Sequence, residues 1–247
     1  MAKKVKIGSA RIDEHGKATG GQAGDQTGKE VSTQDYYVHS KGWRVFRAKN
    51  PAQAEKIAKD MQWACDNKHI GYDQNQRLTL YNVASKVGFN CKDVTTNCET
   101  DCSALVRVCC MYAGIYLPNF RTTDEPKALL NSGMFVEMEG SKYTKSSDYL
   151  KRGDILVTPV QGHTVIVLSD GKCADKDTPT DNKHVMVTGG SVNVRTAPNV
   201  ETGKIIGIAH KNDVYDYQGE TSENNWYLID YKNKNGWISG KYSKLIE

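Results

Sequence analysis

The 247-residue chain lacks any apolar run long enough to cross a bilayer. Its opening, Met1-Ala2-Lys3-Lys4-Val5-Lys6-Ile7-Gly8, carries charge but no apolar core stretch. We therefore expect no signal peptide, a chain made as a soluble cytosolic protein, and no membrane insertion. A glycine-rich segment occurs early, but no Gly-Lys-Ser/Thr comes after it at phosphate-loop spacing. The formal charge of +4 is too small to indicate nucleic acid, although it permits attraction to an anionic surface. Phenylalanine is scarce, at 4 residues against 13 tyrosines and 4 tryptophans. A tyrosine-rich set suits flat polar ligands such as glycans, and equally suits ordinary strands. Cysteine is present in an odd number, seven, but without a Cys-x-x-Cys pair. Cys91, Cys98 and Cys102 thus lack metal-ligand spacing, and adjacent Cys109-Cys110 in a helical run reads as reduced core thiols. We expect neither metal nor cofactor.

The residues that are present centre on Thr100-Asp101-Cys102-Ser103-Ala104-Leu105-Val106, a polar triplet entering an apolar, helix-capable run that ends at Gly114. Thr100 or Asp101 can cap that helix, and Gly114 can stop it. Cys102 then sits in the first turn, where free N–H groups and the helix dipole favour a thiolate. A lone cysteine there is ordinarily a buried core residue. Here polar residues precede it and a histidine stands downstream. Lys151 to Val157 reads as a turn and a strand. Gly162-His163-Thr164-Val165-Ile166-Val167-Leu168 reads as a second strand, with Gly162 letting substrate and backbone come close. A helix-borne cysteine facing a strand-borne histidine is the papain-like arrangement, in which the imidazole takes the thiol proton and later protonates the leaving amine.

The two segments resemble the NlpC-type cell-wall peptidases and the related cysteine- and histidine-dependent (CHAP-like) amidohydrolases of phage lysins. The matching residues are Asp101-Cys102-Ser103-Ala104-Leu105-Val106, Gly153-Asp154-Ile155-Leu156 and Gly162-His163-Thr164-Val165-Ile166-Val167-Leu168. The family usually has glycine where Ala104 stands. The resemblance covers roughly residues 60 to 175. It implies an α+β papain-like (NlpC-type) catalytic domain, with Cys102 and His163 catalytic and Asp101 and Ser103 near substrate. It implies a tyrosine donor for the oxyanion, a place that Tyr72 in Ile70-Gly71-Tyr72-Asp73 matches in type. Tyr72 can equally be a half-buried strand residue, and thirty residues separate it from Cys102, so residues 78–97 must loop or fold between them. The family orients its histidine from the next strand, and counting forward lands on Asp175. The residues after Asp175 read as linker, so the expected strand is short or missing. The alternative is that the N-terminal arm supplies that strand, with Asp25 or Gln26 orienting the ring.

That arm, Gly8 to Val31, reads either as a flexible tail or, through Gly24-Asp25-Gln26-Thr27-Gly28, as backbone held close to something. Similar segments precede the cysteine domain in some phage lysins. Tyr36-Tyr37-Val38 and Trp43 to Arg47 read as strands. Asn50-Pro51 opens a helix whose face of Ala54, Ile57, Ala58, Met61 and Cys65 packs in the core. Leu78, Tyr81, Ala84 and Val87 mark another helix, stopping at Gly88, and a short helix lies near Glu125 to Ser132.

From about Val185 five short strands in some sixty residues imply a small all-β barrel. Val192-Asn193-Val194-Arg195-Thr196-Ala197-Pro198 and Asn235-Gly236-Trp237-Ile238 resemble the bacterial SH3-type barrel of wall-targeting proteins. We place the catalytic domain at 1–175, a linker at 176–186 and the SH3-like wall-binding domain at 187–247. Tyr215, Tyr217, Trp226 and Tyr227 are the candidate wall contacts, with Tyr231 beside them and Trp237 in the core. The resemblances imply a phage endolysin, released through a holin-type membrane hole to act on bacterial peptidoglycan and its wall polymers. By a Cys-His mechanism it cuts the D-glutamyl–diamino acid bond of the stem peptide, or serves as a muramoyl-L-alanine amidase or cross-bridge endopeptidase. The rivals are a non-catalytic wall-binding virion protein and a bacterial autolysin, the latter normally needing an export signal.

Overall fold

The computed structural model describes residues 4–176, 184–232 and 234–246. It divides into two compact units, Met1–Lys176 and Asp177–Glu247. The first unit runs β1 (Lys6–Ala10), β2 (Val31–Asp35), β3 (Arg44–Ala48), α1 (Pro51–Asp66), β4 (Ile70–Tyr72), α2 (Thr79–Ala84), β5 (Cys98–Thr100), α3 (Cys102–Tyr112), α4 (Glu125–Asn131), β6 (Phe135–Met138), α5 (Ser141–Thr144), β7 (Ile155–Val157) and β8 (Thr164–Val167).

Six strands form one sheet in the order β2-β1-β8-β7-β3-β6, every pair antiparallel. Alternating side chains go to two cores. Phe46, Ile155, Val157 and Ile166 meet α1 and α3, while Val45, Leu156, Val165 and Val167 meet Trp43, Tyr143 and Leu150. Burial on both faces explains why β7 and β8 are apolar almost throughout instead of alternating. Asp154 just ahead of β7 is fixed by Arg47, which donates from Nε at 2.8 Å and from its terminal nitrogen at 2.7 Å. A planar guanidinium matches the two carboxylate oxygens, so this buried pair needs no water.

The strand beside β8 is β1, paired Ile7 to Val167 and Gly8 to Ile166. The N-terminal segment thus fills the place that no later strand takes. It is no loose tail: residues 11–30 lie against β4 and β5, through Gly24 N to Cys98 O (3.3 Å) and Gln74 N to Ala18 O (2.9 Å). Tyr36–Val38, expected as strand, come after β2 without joining it. Asn50 caps α1 by accepting from Ala52 N at 2.9 Å. Residues 78–97 are folded as α2 and two short 3-10 turns, which lets β4 and β5 pair in parallel, Tyr72 opposite Thr100.

The second unit comprises β9 (His184–Val187), β10 (Ser191–Arg195), β11 (Ile205–His210), β12 (Val214–Thr221), β13 (Trp226–Asp230), β14 (Asn235–Ser239) and β15 (Ser243–Ile246). Seven strands stand in the order β11-β10-β14-β13-β12-β9-β15. The fold corrects the sequence reading here at two points. His184–Val187 is a strand and not linker, because Val185 and Val187 alternate into the core; residues 177–183 lie outside the described ones. The expected closed barrel is an open sheet: among the described residues no pairing joins β11 to β15. Val187 of β9, Val194 of β10 and Ile229 of β13 still share one core, so curling the sheet buries its inner face without closure.

Candidate active site

Cys102 is the first residue of α3, and Asp101 caps it by accepting from Ala104 N at 2.7 Å. Asp101 also accepts from Arg77 Nε, and Arg77 reaches Ser103 Oγ at 3.0 Å, Asn119 Oδ1 at 2.8 Å and the Phe120 carbonyl at 2.6 Å. Asp101 and Ser103, expected near substrate, are therefore buried in the clamp that fixes the helix start. Their polarity serves the cap because every buried hydrogen-bonding group there needs a partner. Sequence reasoning misses Arg77, whose only signal is a charge ending the polar run Asp73 to Arg77.

The backbone N–H groups of Thr164 and Ser103 face the Cys102 thiol and pull its pKa down, but burial dominates and pushes it up to about 12, helped by the Asp101 and Glu125 charges. The residue is only 7 % exposed. Desolvation of the anion opposes the thiolate that the helix mouth favours. His163 directly precedes Thr164. Burial pushes its imidazole down to about 4, and His39 and Arg11 push the same way. Burial thus disfavours the charged form of both groups. No hydrogen bond joins them among the described residues; His163 Nε2 lies 3.3 Å from Ser9 Oγ.

Thr158 holds the His163 backbone, its N donating to the His163 carbonyl and its Oγ1 accepting from His163 N, each at 3.0 Å. A Cβ on Gly162 would stand 2.8 Å from that Oγ1. Gly162 therefore makes room for the threonine that positions His163. Glu125, fully buried, accepts from Thr164 Oγ1 at 2.8 Å, and burial holds its carboxyl well above the usual range. Tyr72 is buried, its hydroxyl accepting from Gln74 Nε2 at 2.9 Å. Burial raises it to about 12, and the charges of Cys102, Asp101 and Asp73 push the same way. Arg11, beside His163, donates to Gln34 Oε1 and Ser32 Oγ.

The expected orienting residues lie elsewhere. Asp175 is on an exposed 3-10 turn, Ala174–Lys176, instead of a strand. Gln26 turns its amide onto the Ala23 and Gly24 carbonyls, and Asp25 Oδ1 accepts from Gly28 N at 2.7 Å, so both side chains take part in a local turn. Ser9 takes the position, because β1 is the neighbour of β8. Its one sequence signal is a hydroxyl among apolar strand positions. Beyond Gln74 an open cleft of about 690 Å³ is lined by Arg77, Asn82, Asn119, Arg121 and Asp124.

The sequence pattern of the endolysin-like domain family matches residues 7–174, spanning both the cysteine helix and the histidine strand. The chain belongs to the endolysin-like domain family. A bacterial SH3 domain pattern matches residues 190–244. No curated protein matches the chain. Together the endolysin-like domain and the SH3 domain support a peptidoglycan hydrolase. No helix of the described residues is long and apolar enough to cross a membrane.

Within the SH3 unit the tyrosines serve the core as much as the surface. Tyr215, Tyr217 and Tyr227 are half-buried against it, with Tyr217 and Tyr227 edge to face at 6.1 Å. Trp226, expected as a wall contact, is buried, and Trp237, expected in the core, is half-buried. Trp237 neighbours inward-facing Ile238, so strand alternation turns it the other way.

Proposed function

We propose that the endolysin-like unit is a papain-like thiol hydrolase that cleaves an amide bond of the peptidoglycan stem peptide. The reading rests on one observation: the N–H of Thr164 faces the Cys102 thiol, and the residue before it is His163, whose ring lies toward Ser9. His163 takes the thiol proton as the sulfur attacks the carbonyl carbon. The tetrahedral oxyanion receives the Tyr72 hydroxyl. Collapse to a thioester expels the amine, which leaves with the proton from His163. Water, deprotonated by the same ring, then hydrolyses the thioester and restores the thiol. Ser9, not Asp175 or Gln26, is the residue that orients the imidazole.

The bond we favour is D-glutamyl–diamino acid, which the NlpC-type resemblance of Asp101 to Val106 supports; the alternatives are the muramoyl-L-alanine amide and a cross-bridge amide. The SH3 unit holds the enzyme on wall polymer, raising its local concentration on an insoluble substrate. A phage origin and holin-type release go with this reading.

Digestion of purified sacculi, with mass spectrometry of the muropeptides, tests it. Wild type should release fragments ending at D-glutamate, while Cys102→Ala and His163→Ala should release none. Undiminished hydrolysis by Cys102→Ala would sink the thiol mechanism. Free glycan chains with intact stem peptides released into solution would move the bond to the amidase alternative.

A further inference from the structure

The segment 118–124 runs between the neighbours of the two candidate catalytic residues. At one end the Phe120 carbonyl accepts from Arg77 at 2.6 Å and from Ser103 Oγ at 3.4 Å, one residue after Cys102. At the other, Thr122 Oγ1 accepts from Gly162 N at 3.3 Å, one residue before His163. Phe120 and Thr122 are buried, whereas Asn119, Arg121 and Asp124 are exposed. The segment thus pins itself by two residues and leaves the others open.

Asn119, Arg121 and Asp124 line the cleft of about 690 Å³, together with Gln74, whose amide reaches the Tyr72 hydroxyl. That size suits a small polar ligand; such sites run about 300–1,000 Å³. Three charged residues line it: Arg77, Arg121 and Asp124. Arg77 is committed to Asp101, Ser103, Asn119 and the Phe120 carbonyl. Asn119 gives Oδ1 to that clamp, and its amide nitrogen has no partner among the described residues. The Arg121 guanidinium has neither hydrogen bond nor ion pair among them. Asp124 accepts from the Thr123 hydroxyl at 3.2 Å and pairs with no cation there. Asp124 N donates to the Arg121 carbonyl at 2.9 Å, so the two residues share one turn without joining their charges. The cleft therefore offers one free cation and one free anion beside the thiol and the imidazole.

We propose that this cleft reads the two charges flanking a D-glutamyl–diamino acid bond, Arg121 taking the spare carboxylate and Asp124 the spare amine. The inference rests on the stem-peptide reading and adds which residues select the bond. Glutamate joined through one carboxyl keeps the other, and a diamino acid joined through one amine keeps its second. A planar guanidinium meets a carboxylate with two parallel hydrogen bonds, and the Asn119 amide adds a donor beside it. Left unpaired with each other, Arg121 and Asp124 need break no bond to accept these partners.

The test uses the full chain carrying Cys102→Ala, so that peptide is bound and not cut. Calorimetric titration with a soluble D-glutamyl–diamino acid stem peptide should show saturable binding. Arg121→Ala should weaken it about tenfold, the size of one lost charge-assisted pair. It should not change the weaker binding of the same peptide with its glutamyl carboxylate amidated. Arg121→Lys should recover part of the loss. Asp124→Asn should weaken binding about fivefold for the free-amine peptide and not for the form acetylated on that amine. With Cys102 restored, Arg121→Ala should lower kcat/KM about tenfold on the acid peptide and leave it level on the amide. Absence of saturable binding overturns the subsite, as does an Arg121→Ala effect that is nil or equal on the two peptides. An Asp124→Asn effect indifferent to acetylation overturns the amine half. Binding as expected with no cleavage by wild type would end the hydrolytic reading and leave the subsite standing. Cleavage by wild type with Arg121→Ala unchanged in binding and rate would end the subsite alone.

Discussion

At the scale of single residues, burial decides the chemistry. Cys102 stands where a helix dipole favours an anion, yet the surrounding protein holds its thiol neutral, at about 12. His163 is held neutral as well, at about 4. The base is thus ready above that value, and the proton must move during attack instead of beforehand. For hydrolysis of soluble muropeptides, kcat/KM should stay level from pH 7 down to about 5 and fall as pH drops through about 4. A pre-formed thiolate–imidazolium pair would instead show its acid limb at the cysteine's own low pKa, and iodoacetamide would alkylate Cys102 readily at pH 6. In this site alkylation should be slow at pH 6 and rise about tenfold per unit toward alkaline pH. Ser9 bears on the same ring. Ser9→Ala should lower kcat about tenfold with KM unchanged, the size of one lost orienting hydrogen bond. Steady-state kinetics on the same substrate checks it.

At the scale of elements, α1 shows how a helix face can carry an exception. Ile57, Ala58, Met61 and Cys65 pack as their spacing predicts, but Asp60 is buried among them. Its Oδ1 accepts from Cys91 N at 2.8 Å, the Cys91 and Cys109 thiols also face the carboxyl, and burial raises it to about 7. The folded state therefore keeps a proton that the unfolded chain has lost above pH 4. That contribution is whole below about 3.8 and disappears as pH rises through about 7. Asp60→Asn keeps the acceptor without the charge. It should raise stability at pH 8 by up to about 4 kcal/mol and change it little at pH 4, read from thermal unfolding at both values. The α3 helix is legible by contrast: the cap, the apolar run and the stop at Gly114, φ +78°, all follow from local preferences.

At the scale of the whole molecule, each unit has its own hydrophobic core. Independent cores let the units fold separately. A chain ending at Lys176 should hydrolyse soluble muropeptides at the wild-type rate. On intact sacculi it should lose at least tenfold in pelleting and in hydrolysis at low enzyme concentration. A co-sedimentation assay beside the soluble-substrate assay separates the two. Equal pelleting of both chains would take wall attachment away from the SH3 unit.

Local rules sufficed for the Cys102 helix, the histidine strand, the Asn50 cap and the run of short strands after residue 184. Each depends on near neighbours in sequence: a cap on the next turn, an alternation on the next residue. The tertiary structure alone decided which strand lies beside β8 and hence that Ser9, 154 positions from His163, faces its ring. It alone set the Arg77 clamp that buries Asp101 and Ser103 and the burial of Cys102 and His163. Pairing partners, desolvation and charge proximity depend on distances across space, and no short-range pattern in a chain encodes them.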